Sequence, residues 1–405
     1  MDSFVRRGRG LLNRRSTSPG APDETVVELG ENDSIEVSVV EQGTSAPNRP
    51  APQSPHVPAP RPADVLVSKN VRLTALVVVL ILVVAASVIA VRRAQDPTID
   101  ELRRRAGWSD LNTLRIGVSG DVPHLSDCTQ GPTNCKGFDI EIARLVASWL
   151  GVRSSAIEFD RVLPEDRERM QGFSFTTGRP VDVDLVVAAF SMTKERMEKD
   201  FVVFAGPYLN TQTTVLTRKD HLPVVSLAGL NDPITVDGKT RAKQRVCTHG
   251  TTTSRDYLRR ETTATIVLRA LNSECVTLLL EGDVDAAVTD AAILAGFQAV
   301  HADKLRLNNI ASVDDEHYGI GIGQDPTGQD EKIQARRQLV LLALNDLLTA
   351  PNQNDWQDAF DLLPPTGPAT GVDVQVVADD RQPTPQGLLP VRRWPWERLG
   401  SGSGR

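Results

Sequence analysis

Hydrophobic and polar positions divide this chain into stretches with different rules. Residues 73–91, LTALVVVLILVVAASVIAV, form an unbroken run of 19 uncharged residues. As a helix the run spans about 28 Å, close to the hydrocarbon thickness of a bilayer. It predicts a transmembrane helix over 71–93, because a long helix in a soluble core would carry a polar face. A cleaved signal peptide, with Val88 and Ala90 as a weak cleavage pair, is the rival reading; the run is long for that role and a long segment precedes it. From residue 114 short apolar runs alternate with amphipathic stretches. LRIGV, VDLVVAAF, TVLTRK, QRVCTHG, AAVTD and HYGIGI read as strands. FDIEIARLVASWLGV carries apolar residues at 138, 142, 145, 146 and 149 and meets Gly151 as a stop, so it reads as a helix. SECVTLLLEGD, AAILAGFQAV and IQARRQLVLLALNDLLTA read as further helices. This alternation predicts an α/β architecture of doubly wound, parallel sheets with helices on both faces, where ligands bind at the carboxyl ends of strands. The polar clusters fall there: Ser119 after the first strand, Ser191 after VVAAF, 248–253 after RVC, and Thr289 with Asp290 after AAV.

Composition settles what the remaining stretches are. Among the first 15 residues five are arginines, residues 23–41 hold seven acids and no base, and residues 47–62 hold seven prolines. Such sequence buries too little apolar area to offset chain entropy, so 1–70 is expected to be a disordered tail. Residues 94–111 read as a linker. After 363 the chain turns Pro-rich again, and 363–405 reads as a disordered tail; a docking motif in RWPWERL is the minority reading. A net charge of −7 and an aromatic content of 4% give no basic patch or stacking platform, so nucleic acid is not an expected partner. HExxH, GxSxG and P-loop motifs are absent from the sequence.

The four cysteines all follow the apolar run, and two of them, Cys128 and Cys135, lie in DCTQGPTNC, a loop easily closed as a disulfide. Tight CxxC pairs are lacking and only His249 is near a cysteine, so no metal site is expected. Disulfides belong outside the cytosol. Positive charges flank both ends of the run, Lys69 and Arg72 on one side and Arg92 and Arg93 on the other, and leave the orientation ambiguous or mildly reversed. The cysteines therefore decide: residues 94–405 are placed outside and the N-terminus in the cytoplasm.

Four stretches carry a resemblance to the family 3 extracellular solute-binding proteins, of the periplasmic-binding-protein type. They are GFDIEIARLVASWLG, VDLVVAAFSMTKERMEKDFVVFAGPY, LLLEGDVDAAVTDAAILAGF and HYGIGI. The match is most similar to the glutamate/aspartate-binding branch, which shares AGPY, the TD..ILAG pattern and a cysteine pair like Cys247 and Cys275. It covers roughly 112–362. The resemblance implies two lobes, one of 112–210 with 318–362 and one of 213–316. Hinge crossings are expected near 209–213, just past the turn-like Gly206-Pro207, and near 315–318. The ligand would be a polar amino acid held in the interlobe cleft. Arg196 would clamp its carboxylate bidentately, as lysine cannot. Ser191 would add a hydroxyl and Thr252 an amide from the second lobe. Asp290 and the Ala189 carbonyl would receive the ammonium. Ser119, Thr248, His249 and Arg167 remain for the ligand's side chain, an acid suiting Arg167 or protonated His249 and an amide suiting Thr248 and Ser119.

This sequence departs from the family at Ser119, where many members have an acid, and at Val122, where many have an aromatic. Two extra residues separate Arg196 from FAGPY. Against these expectations stand plainer ones: Arg196 in a surface salt bridge with Glu195 or Glu198, Asp290 as the N-cap of the following helix, and His249 in an exposed loop. The functional expectation is a membrane-anchored amino-acid receptor without a cofactor. It would serve an ABC permease, or report to a cytoplasmic partner of the N-terminal tail. A ligand-free scaffold and an enzyme on the same fold are the alternatives; only Asp290 with His249 suggests catalysis.

Overall fold

The computed structural model describes residues 69–198, 202–236, 238–308, 310, 315–349, 354–364 and 382–392. The expectations for the N-terminal tail up to residue 68 and for Trp394 and Trp396 lie outside the described residues.

The apolar run lies in helix α1 (Lys69–Gln95). Within it Val71–Ala90 is long and apolar enough to cross a membrane, with a mean hydropathy of 3.1, and none of that segment is covered by protein. The next stretch is not a plain linker. It contains α2 (Ile99–Ala106), capped by Thr98, whose side chain accepts from the Glu101 amide. Leu102, Ala106 and Trp108 are buried in the core of the domain. A strong apolar face on eight residues outweighs the charged composition that makes the stretch read as a linker.

The domain then runs through β1 (Leu114–Val118), β2 (Asp121–Val122), β3 (Ser126–Asp127), α3 (Phe138–Trp149), β4 (Ile157–Arg161), β5 (Gln171–Ser174), β6 (Pro180–Asp182), β7 (Leu185–Val186) and α4 (Lys194–Glu198). It continues with β8 (Val202–Arg218), β9 (Ile234–Val236), β10 (Lys239–Arg241), β11 (Arg245–His249), α5 (Thr253–Glu261), β12 (Thr265–Arg269), α6 (Asn272–Glu281), β13 (Ala286–Asp290) and α7 (Ala291–Val300). It closes with β14 (Leu305–Asn308), β15 (Asp315–Gln324), α8 (Glu331–Thr349) and α9 (Asp355–Phe360).

Two parallel strand groups form the centres of two lobes. In one, β1 pairs in parallel with β4 and β7; in the other, β11 pairs in parallel with β12 and β13. Long antiparallel strands join them. β8 and β15 pair with each other from Asp315↔Gln212 to Gln324↔Val202, while β8 also pairs with β13 and β14, and β15 with β7. The crossings are thus one continuous ribbon, and the two sheets run into a single 11-stranded sheet. Gly206-Pro207, turn-like in sequence, lies inside β8. Opposite it the register slips between Tyr318 and Ile320. Proline is tolerated there because a bulge asks no ladder hydrogen bond of it. QGFSFTTGRP forms β5 and the start of β6, a hairpin that extends the first sheet past β4.

Part of the Pro-rich C-terminal stretch departs from the expected disordered tail. Residues 382–392 lie along the first lobe. The Gln386 amide donates to the Gly206 carbonyl, Gln338 exchanges hydrogen bonds with Leu389, and the Arg392 amide reaches the Pro97 carbonyl. Hydrogen bonds to β8 and to α8 side chains hold the segment, together with buried Pro383 and Pro385 and the packing of Val391 on the core.

Candidate functional site

The site forms where the strand ends of both lobes meet. Arg196 is placed by α4, which begins where Thr193 Oγ1 accepts from the Arg196 amide. Its guanidinium is buried. Nη1 donates to the Ser191 carbonyl at 2.9 Å, Nη2 to the Thr251 carbonyl at 3.0 Å, and Nε to a Glu168 carboxylate oxygen at 3.3 Å. The Phe190 ring lies 5.1 Å from it. Neither Glu195 nor Glu198 is the carboxylate Arg196 meets; Lys194 pairs with Glu198. The extra residues after α4 leave the arginine in the cleft.

Asp290 stands in the N-cap position of α7, yet its carboxylate does not cap that helix. It accepts from the Tyr318 hydroxyl at 2.6 Å, and Thr211 Oγ1 takes the Ala292 amide instead. Arg167, from the loop between β4 and β5, is buried and donates from Nη1 to the Ala189 carbonyl at 3.3 Å. Ala189 has φ of 48°, a left-handed conformation costly for a residue with a Cβ. Asp139 holds it, accepting from the Ala189 amide at 2.9 Å and from the Tyr208 hydroxyl at 3.0 Å. That hold turns the Ala189 carbonyl toward Arg167. His249 is buried at the end of β11, not in an exposed loop, and its Nε2 lies 2.7 Å from Asn272 Oδ1.

Arg167, Ala189, Ser191, Arg196, His249, Thr252 and Asp290 line one cavity, joined by Thr253, Asn272, Thr289 and Ile293. Two expected residues stand apart. Ser119 is buried at the end of β1 but is not on the cavity wall. Thr248 lines a separate small void beside the cysteines, with His249, Asn272 and Thr289. Asn272 carries no sequence motif, and Asp139 lies in GFDIEIARLVASWLG but is not among the expected site residues. Asn272 follows a strand at its carboxyl end, and Asp139 is an acid inside an apolar helix stripe; those were the only signals for them. The space enclosed is about 10 Å³, room for about one water molecule. A larger groove of about 330 Å³ adjoins it, sharing Arg196, Thr252 and Thr253 and reaching Arg255 and Arg260 on α5.

Burial governs the charges. It raises the Asp290 carboxyl to about 7; the nearby Glu316 adds to this, while the Tyr318 hydroxyl, Arg167 and Arg196 oppose it. Asp139 is likewise raised to about 7 by burial, against its hydrogen bonds from Tyr208 and Ala189. Burial, and then the neighbouring Arg196, lower the proton affinity of Arg167. The cavity therefore presents two guanidiniums and a carboxyl group that prefer a charged partner of their own.

The model of the bacterial extracellular solute-binding proteins, family 3, matches residues 114–361, more than half of the chain. The chain belongs to that family. Among curated proteins, this solute-binding protein is similar to the glutamate-binding protein GluB of Corynebacterium efficiens, with 30% identity over 232 residues, 55% of this chain and 72% of that protein. It is also similar to the ABC transporter glutamine-binding protein GlnH of Bacillus subtilis, 25% identical over 232 residues, 57% of this chain and 77% of that one. Among solved structures it resembles the solute receptor for L-cysteine of Neisseria gonorrhoeae, with a TM-score of 0.51 and 20% identity across 71% of this chain and 99% of that one. That likeness supports the two-lobed fold. Both cysteine pairs of this solute-binding protein are at bonding distance, Cys128 with Cys135 and Cys247 with Cys275.

Proposed function

We propose that this protein captures a polar α-amino acid, glutamate, aspartate or one of their amides, between its lobes. The supporting observation is that Arg196 and Asp290 line one buried cavity from opposite strand ends. In this reading the Arg196 fork takes the ligand's α-carboxylate, displacing the main-chain carbonyls it now meets, with Ser191 and the Thr252 amide beside it. Asp290, ionised by the incoming cation, and the Ala189 carbonyl take the ammonium. Arg167 faces the side chain. The glutamate- and glutamine-binding relatives support this ligand class.

The apolar helix α1 would hold the domain at the outer face of a membrane, with the N-terminal tail in the cytoplasm; the two disulfides support an oxidising side for the domain. The receptor would deliver its ligand to an ABC permease or report occupancy through its tail. If deletion of residues 1–65 changes neither amino-acid uptake nor any downstream response, the reporting role is wrong.

The ligand reading is tested by thermal shift of the full chain in lipid nanodiscs against the twenty amino acids. A micromolar binder at millimolar concentration stabilises the fold by about 4 kcal/mol. A shift is expected with an acidic amino acid or its amide and is lost in Arg196→Ala. No shift with any amino acid in the wild type points to the scaffold alternative, and turnover of a bound compound points to an enzyme.

A further inference from the structure

His249 and Asn272 together fix a chemical choice in the cavity. β11 ends at His249 and α6 begins at Asn272, and the Cys247–Cys275 disulfide pins the same two elements. An amide oxygen only accepts, so with Asn272 Oδ1 at 2.7 Å the proton of the neutral ring sits on His249 Nε2. Nδ1 is then a bare lone pair. It is buried and has no hydrogen-bond partner among the described residues. Arg167 lines the same cavity, and its buried Nε–H likewise has no partner among the described residues. Two residues of the cavity wall thus carry one unfilled donor and one unfilled acceptor, both shut from water in the closed state.

A terminal carboxamide answers both, its oxygen toward Arg167 and its NH2 toward Nδ1. A carboxylate answers Arg167 but sets a lone pair against a lone pair at Nδ1. Such a mismatch in a buried site costs more than a missing contact. We infer that His249, held in one tautomer by Asn272, is the specificity-determining residue of the cleft: neutral, it selects a ligand ending in a carboxamide; doubly protonated, one ending in a carboxylate. This rests on the amino-acid reading above.

The charged groups around the ring set where the change falls. They are Arg167 from the β4–β5 loop, Asp121 on β2, and, on the cavity wall, Arg196 on α4 and Asp290 at the end of β13. The adjacent strand β12 contributes the Arg269 main chain. Burial, with Arg167, holds His249 below its ordinary 6.5, while Asn272, Asp121 and a hydrogen bond to the Arg269 main chain act the other way. Selection therefore turns over on the acid side of neutrality.

The experiment is calorimetric titration of the full chain in nanodiscs with L-glutamine and L-glutamate at pH 8 and pH 5.5. The ratio of their dissociation constants is the readout. Asp139 and Asp290 also titrate in this range, but they serve the main chain and ammonium that both ligands share. The ratio is expected to move toward glutamate by about tenfold or more on acidification. His249→Gln, a side chain that does not titrate, flattens the ratio. Asn272→Asp stabilises the imidazolium and moves the turnover to higher pH. A flat wild-type ratio with both ligands bound overturns the inference, as does an undiminished shift in His249→Gln. Binding of neither ligand at either pH overturns instead the amino-acid reading beneath it.

Discussion

A carboxyl group shut away from water, Asp139, does the least conspicuous work in the cleft. It anchors the Ala189 amide and so keeps a left-handed alanine in place. The cost appears in its titration, raised from 3.8 to about 7 by burial. The folded state therefore binds a proton that the unfolded state has released between those values. The stability tied to this proton is fully present below about pH 4 and is lost as the pH rises through about 7, at up to roughly 1.4 kcal/mol per unit. Asp139→Asn keeps an oxygen for the Ala189 amide and turns an NH2 toward the Tyr208 oxygen, which can accept. The variant should be at least as stable as the wild type at pH 8 and should show a flatter melting temperature between pH 5 and pH 8. An unchanged slope would assign the pH dependence elsewhere, to Asp290 first. Arg196 and Asp290 were legible as candidates in the sequence because they stand in stretches that carry the family resemblance, and His249 because it stands beside Cys247 of the shared cysteine pair. Asp139 and Asn272 were not. They act through a backbone dihedral and a tautomer, and their partners lie 50 and 23 positions away.

Among the elements, the pair β11 and α6 carries the most consequence. The disulfide between Cys247 and Cys275 closes a stretch of 28 positions. By loop-closure entropy it contributes about 3–4 kcal/mol, which corresponds to roughly 10 °C in a domain of this size. The doubly substituted Cys247→Ala/Cys275→Ala should melt lower by about that much. It should also bind its ligand more weakly, since His249 and Asn272 lie within three positions of the two cysteines. A lower melting temperature with unchanged affinity would show that hydrogen bonding alone keeps the pair in register. Strands β1, β7, β11, β13 and β15 and helices α3, α6, α7 and α8 followed from hydrophobic periodicity, because each carries buried apolar positions. Short or exposed elements such as β5, β6 and β12 escaped it, and so did three larger features. α2 is too short and too charged for its apolar face to stand out in sequence. The β8–β15 ribbon hides behind a Gly-Pro pair that in most settings ends a strand. Residues 382–392 are held by scattered hydrogen bonds and two buried prolines, Pro383 and Pro385, which make no periodic apolar pattern.

At the scale of the whole molecule, the cavity of about 10 Å³ admits no amino acid unless the lobes part and shut again, so contacts between lobes set affinity as directly as contacts with the ligand. Three of the contacts that span the cleft lie away from the hinge strands β8 and β15. Arg196 Nη2 donates to the Thr251 carbonyl at 3.0 Å, and the Ser273 amide on α6 donates to Asp121 Oδ2 at 2.9 Å. The third is a bare approach: Gly296 on α7 faces the Pro123 carbonyl so closely that a Cβ there would stand 1.9 Å from its oxygen. Backbone cannot yield to a methyl group as a side chain can. Pro123 belongs to the β2–β3 loop and Gly296 to the opposite lobe, so Gly296→Ala disturbs the meeting of the lobes rather than the packing within either. A helical alanine is itself favoured over glycine. The variant is therefore expected to fold, to keep its melting temperature without ligand within a few degrees, and to bind about tenfold or more weakly. Small-angle scattering should show little compaction when ligand is added. Wild-type affinity in Gly296→Ala would mean that the β2–β3 loop shifts aside without cost, and that closure is governed by the other contacts across the cleft.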